Sequence, residues 1–274
     1  MLYDTHCHPN LAKQKDKEQI IETFREENPK GFLNIIWTNL ETSQIALDIS
    51  KKHDFMFCSV WIHPTDTIEY RDNKTQTIEK LEKYYLDNKE NVVAIWECWL
   101  DYYWIESLKK TYSLSEEEIK QIQKDFFIAQ VELAKKYWLP IIIHNRDSRE
   151  DILDILKHTW YKNFIFHCYS EDLEYAEKLI EFSPECKLSF SGIVTFKNGK
   201  SIAETAKHIP LKNILIETDS PYLTPDPLRG KEENEPAFTK YVLNKIVSLR
   251  EEESNEIKKQ IFENSLDIFW IQTK

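Results

Sequence analysis

Asp4-Thr5-His6-Cys7-His8 stands near the start of the chain, with its two histidines spaced i, i+2. On an extended segment that spacing sends both side chains to one side. With a strand over residues 1–4, His6 and His8 leave its end together, able to reach one ion. Imidazole is the commonest protein ligand for metals. Residues of the same kind recur at the ends of later apolar runs: His63, Glu97, His144, His167 and Asp219. The pattern is that of a scaffold delivering one ligand per strand to one place.

Working outward, apolar runs rich in Ile, Val and Phe predict strands near 1–4, 32–38, 55–61, 92–97, 139–143, 164–167, 187–190 and 213–217. Amphipathic stretches between them predict helices near 15–27, 41–52, 75–88, 115–137, 147–158, 171–182 and 199–207, with two more, 237–250 and 254–269, at the end. Ser115 with Glu118 reads as a capping box, and Asp147 with Glu150 as a second one. Residues 104–114 read as a loop insertion, and 221–236, with four prolines, as a long irregular segment. Strands alternating strictly with helices predict a parallel sheet, and their number and the chain length match a (β/α)₈ TIM barrel forming one domain over 1–274. A doubly wound open sheet is the alternative, but no Gly-x-Gly-x-x-Gly or phosphate-loop motif accompanies it.

No run of 18 apolar residues occurs, which argues against a membrane span. The N-terminal residues lack a basic and then apolar stretch, so no secretory signal is expected. Five cysteines without a Cys-x-x-Cys pair fit reduced thiols and a cytoplasmic protein. With 36 basic and 47 acidic residues the net charge is −11, which disfavours passive coating of DNA but leaves room for a nuclease that grips its substrate through cations. Oligomeric state is not legible at this level. One count is abnormal: the chain has only 4 glycines beside 8 tryptophans, where average usage gives about 19 glycines.

His6, His8, Glu97, His144, His167 and Asp219 exceed the three or four ligands one zinc needs. Two divalent ions about 3.5–4 Å apart, bridged by a carboxylate, use them all. Glu97, on the fourth strand, is the natural bridge. Mixed imidazole and carboxylate donors suit Zn, Mn, Fe or Co more than Mg alone, and a hydrolysis is the expected reaction. Asp219 is placed both to ligate and to take a proton from water. His63, Arg146, Arg229 and Tyr222 read as substrate contacts, the arginines because guanidinium pairs bidentately with phosphate. His53, His158 and His208 fall in or near helical stretches and read as surface residues.

Seven segments in order, Asp-Thr-His-Cys-His, Ile-His-Pro (62–64), Glu-Cys-x-Leu-Asp-Tyr-Tyr (97–103), Leu-Pro-Ile-Ile-Ile-His-Asn-Arg-Asp (139–147), Phe-His-Cys-Tyr-Ser (166–170), Glu-Thr-Asp-Ser-Pro-Tyr-Leu (217–223) and Arg-Gly-Lys with Asn-Glu-Pro (229–236), span the chain. Together they resemble the TatD family of metal-dependent deoxyribonucleases in the amidohydrolase superfamily. The resemblance implies a barrel, two metals and phosphodiester hydrolysis of DNA, with 3′–5′ exonuclease action on single strands or 3′ ends. It implies one ion on His6, His8, Glu97 and Asp219, and another on Glu97, His144 and His167. Amidohydrolase action on a small ester, amide or lactone is the competing expectation.

The departures from that family form a pattern. Trp61 precedes Ile-His-Pro, Trp96 and Trp99 flank Glu-Cys, and Trp138 precedes Leu-Pro-Ile, all at positions where the family has glycine. Trp37, Trp160 and Trp270 are similarly placed, whereas Trp104 is not. An indole beside a ligand overpacks, so a barrel with impaired catalysis is one expectation. The other is that UGA codons meaning glycine stand at these seven positions and have been read as tryptophan.

Overall fold

The computed structural model describes residues 1–36, 40–60, 67–96 and 100–272, the side chains of residues 40–42 and 96 excepted. His63, Glu97, Trp37, Trp61 and Trp99 lie outside the described residues, as does the side chain of Trp96. Eight parallel strands, β1 (Tyr3–Cys7), β2 (Phe32–Ile35), β3 (Met56–Val60), β4 (Val92–Trp96), β6 (Ile141–Ile143), β8 (Phe164–Phe166), β9 (Lys187–Phe190) and β10 (Ile214–Ile216), neighbour one another in that order. They make a nearly closed barrel. Two short strands, β5 (Leu100–Asp101) and β7 (Asn145–Arg146), pair in parallel as a separate ribbon.

Helices α1 (Lys17–Glu27), α2 (Leu40–Ser50), α3 (Lys74–Asp87), α4 (Ile105–Tyr112), α5 (Glu116–Tyr137), α6 (Arg149–Thr159), α7 (Leu173–Phe182), α8 (Lys200–His208), α9 (Thr239–Leu249) and α10 (Ser254–Ile268) connect or follow the strands. Strands buried on both faces are apolar on both, and so two cores form. A large one packs the helices onto the strands, around Leu33, Ile35, Ile141, Ile143, Phe126 and Leu188 among others. A smaller one joins Tyr3, Ala94, Ile142, Ile165 and Leu215 to Phe262, Ile268 and Phe269 at the end of α10.

Two local expectations are corrected. Residues 105–112 are helical, because Ile105 and Leu108, three apart, bury together against Ile68 and Ile119. The helix after His144 begins at Arg149 behind Ser148, with no side-chain cap. Asp147 instead takes a left-handed φ of 59°, and the Ser148 hydroxyl donates to Leu100 O. The Ser115–Glu118 capping box is present in both directions.

The seam between β1 and β10 is closed by side chains. Asp4, fully buried, accepts from the amides of His6 (3.2 Å) and Thr218 (2.9 Å) and from the Thr218 hydroxyl (2.5 Å). Backbone bonds from Asp219 N to His6 O (2.9 Å) and His8 N to Ser220 O (2.8 Å) continue it. Burial pushes the Asp4 carboxyl well above the usual carboxylate range, against the lowering effect of the Thr218 and His6 hydrogen bonds. Asp4→Ala orphans two buried amides, so we expect a loss of about 3 kcal/mol or more, read as a lower urea midpoint at unchanged slope.

Cys7, Cys58, Cys168 and Cys186 are free thiols. Among the described residues no helix is long and apolar enough to cross a membrane.

Candidate metal centre

β1 runs to Cys7, so His6 lies within the strand and His8 just beyond it. The pairing of β1 with β2 shifts register between Asp4 and Cys7, the stretch that carries His6. His6 Nε2 stands 2.8 Å from His8 Nε2 and 3.2 Å from Asp219 Oδ1, and His8 Nε2 lies 3.7 Å from the same oxygen. Asp219 follows β10 with a left-handed φ of 56°, a region that aspartate enters more readily than most residues. His144, after β6, faces His167, after β8, with Nδ1 and Nε2 2.9 Å apart. The His6 and His167 rings stack at 4.0 Å and join the two groups.

Metal–ligand bonds of about 2.1 Å put neighbouring donors roughly 3.0–3.4 Å apart at right-angled to tetrahedral geometry. The observed donor spacings scatter around that range, so the donor set fits divalent ions. Protonation agrees. His8 Nδ1 lies 2.8 Å from Ile36 O and donates to it, which in the neutral ring leaves the Nε2 lone pair toward the cluster. Burial, then the charges of His167, His8 and His144, hold His6 well below the usual histidine range, leaving it neutral at pH 7.

The structure thus brings together His6, His8, His144, His167 and Asp219. Glu97, the expected bridge, and His63 lie outside the described residues. Of the expected substrate contacts, Arg146 is spread over the Tyr103 ring at 4.3 Å and Arg229 over Phe196 at 3.6 Å. Tyr222 is exposed. The β5–β7 ribbon aligns Asp101 with Arg146 and so puts Tyr103 beside that guanidinium. Gly192 is needed nearby, because a Cβ there would meet Leu223 O at 1.9 Å.

Glu217 is a further charged group at the site, one that the sequence does not mark as a ligand. It is fully buried, and its Oε1 lies 3.0 Å from His167 Nδ1 and accepts from Cys168 N at 2.7 Å. Burial raises its pKa, opposed by His167. Its only sequence signal is a carboxylate inside an otherwise apolar strand end, two residues from a candidate ligand.

A parallel eight-stranded barrel with imidazole and carboxylate donors gathered at the carboxyl ends of its strands is the architecture of a metal-dependent hydrolase. The family model described as TatD related DNase matches residues 3–270, and the chain belongs to that family. It is 38% identical over 274 residues to the Bacillus subtilis protein named uncharacterized metal-dependent hydrolase YabD, covering 99% of this chain and 100% of that one. A Mycoplasma genitalium protein of the same description, MG009, is 33% identical, with 98% of each chain covered. In fold, the chain superposes on YjjV, a TatD homolog from Escherichia coli, with a TM-score of 0.83 at 22% identity, over 99% and 98% of the two chains.

Proposed function

We propose that this protein is a cytoplasmic deoxyribonuclease that hydrolyses phosphodiester bonds of DNA with two divalent ions, working 3′ to 5′ on single strands or 3′ ends. The observation that carries the reading is the convergence of His6 Nε2, His8 Nε2 and Asp219 Oδ1 beside the facing pair His144 Nδ1 and His167 Nε2. His6, His8 and Asp219 would hold one ion, and His144 and His167 the other, with Glu97 a further ligand by family motif. Bound there, such ions lower the pKa of water and draw charge from a phosphoryl oxygen.

The chain's own groups do the rest. Asp219, 17% exposed in its side chain, takes the proton that water gives up as it attacks phosphorus. Arg146 and Arg229, each laid on an aromatic ring, offer planar donors to non-bridging oxygens with little rotamer freedom left to lose. Arg146→Ala and Arg229→Ala should therefore raise KM several-fold with kcat less affected, as lost ground-state contacts do. Steady-state cleavage of a labelled oligonucleotide reads this.

The deciding experiment measures bound metal in the purified protein. It then follows 5′-labelled and 3′-labelled single-stranded DNA in Mn²⁺, Zn²⁺ or Mg²⁺ beside p-nitrophenyl esters. Stepwise shortening from the 3′ end with slow ester turnover is the expected result. Ester or lactone hydrolysis with intact DNA overturns the proposal in favour of a small-molecule amidohydrolase.

A further inference from the structure

Glu217 is unused by the reaction above, yet it is buried as deeply as any ligand. We propose that it is a positioning residue that locks His167 in its Nδ1–H tautomer, leaving the Nε2 lone pair for the ion. The inference rests on the metal-centre reading. A neutral imidazole has a single N–H, so fixing the hydrogen on one nitrogen bares the other. Glu217 Oε1 already accepts the Cys168 amide at 2.7 Å and offers its remaining lone pair to His167 Nδ1 at 3.0 Å. Cys168, with φ of 44°, turns the chain so that its amide and the preceding imidazole meet one oxygen. The stacked His6 ring at 4.0 Å covers one face of His167 and resists rotation. His167 Nε2 then points at His144 Nδ1, 2.9 Å away.

Direct ligation is the rival role, because His6, His167 and Glu217 offer donor atoms within 4.8 Å of one another. Long-range ¹H–¹⁵N NMR of the metal-free protein, with metal titrations, separates the two. In the wild type, His167 Nε2 should give a pyridine-type shift. Glu217→Gln keeps an accepting oxygen and should keep that shift and the full ion count. Glu217→Ala should move the hydrogen to Nε2 and weaken metal binding by about 10–100-fold. A wild-type Nε2–H tautomer, or an unchanged tautomer in Glu217→Ala, overturns the proposal. Loss of an ion in Glu217→Gln with the tautomer retained overturns it in favour of ligation. None of these readouts involves DNA, so failure of the nuclease assignment is seen separately.

A separate observation carries a second inference. Trp138, Trp160 and Trp270 have φ of 61°, 54° and 54°, whereas Trp104, which the family pattern does not mark, has φ of −89°. Each of the three follows a helix at the left-handed position where glycine is usual. At two of them the hydrogen bonds are complete: Leu139 N to Ala134 O and Trp138 N to Lys135 O, then Ile271 N to Leu266 O and Trp270 N to Asp267 O. Their side chains are 70%, 74% and 60% exposed, so no core needs an indole.

We infer that these three, with Trp37, Trp61, Trp96 and Trp99, are glycine in the protein its own cell makes, through UGA codons read there as glycine. The gene should show UGA at the seven positions and UGG at Trp104. Independently, W138G/W160G/W270G should raise the folding equilibrium about thirty-fold, because relief of the left-handed strain exceeds the entropy cost of glycine. That corresponds to a Tm gain of about 5 °C, which W104G should not share. UGG at the seven codons, or a triple variant no more stable than the tryptophan form, overturns the inference.

Discussion

Asp219→Asn should lower kcat for DNA cleavage by roughly 10²–10⁴-fold, the size of a lost general base, while KM changes little. At 1.36 kcal/mol per tenfold this is about 3–5 kcal/mol of transition-state stabilisation. One oxygen, Oδ1, lies 3.2 Å from His6 Nε2 and 3.7 Å from His8 Nε2, as a shared ligand would. The second oxygen is then free to accept a proton, and an amide in its place accepts none. The backbone amide of Asp219 is tied to His6 O at 2.9 Å, so the substitution should leave the turn intact. Metal content must be measured alongside, because asparagine is also the weaker ligand. A metal-loaded variant within tenfold of the wild-type kcat would remove Asp219 from the role of base.

Stripping divalent ions should abolish cleavage and, as a second signature, lower the thermal midpoint by on the order of 10 °C. Ions held at a thousand times their Kd stabilise a fold by about 4 kcal/mol, and each kcal/mol moves Tm by a few degrees in a domain of this size. The source of that stabilisation is visible in the cluster. His6 and His8 are buried with their Nε2 atoms 2.8 Å apart, and the His6 and His167 rings lie face to face. Without a cation these lone pairs have only protons to share, and protonated imidazoles packed so closely repel one another. Scanning calorimetry before and after chelation, then after readdition of Zn²⁺, Mn²⁺ or Co²⁺, tests it. A chelated protein that keeps both its rate and its midpoint would rule out metal dependence in this chain.

The glycine question bears on both measurements. Trp138 and Trp160 stand between α5 or α6 and the barrel strand that follows, and Trp270 follows α10. All three are exposed, so replacing them with glycine tests the turns without opening a core.

The barrel was legible in the sequence because its signals are local. Apolar runs of strand length, helical periodicity and the Ser115 capping box are all written within a few consecutive residues. The meeting of His6, His8, His144, His167 and Asp219 was equally legible, since a barrel sends every strand end to one rim. Even the left-handed turns at positions 138, 160 and 270 left a trace, as sites where glycine belongs. The helix over 105–112 was missed because a two-turn segment with Ile105 and Leu108 alone carries too weak a periodicity. Only the tertiary structure decided which atoms meet. Asp4 reaches Thr218 across 214 residues of chain, and Glu217 reaches His167 across 50. His144 offers Nδ1 to its neighbour, not Nε2. Such pairings depend on how separate strands are set side by side, and no local pattern encodes the angle at which a ring or a carboxylate arrives.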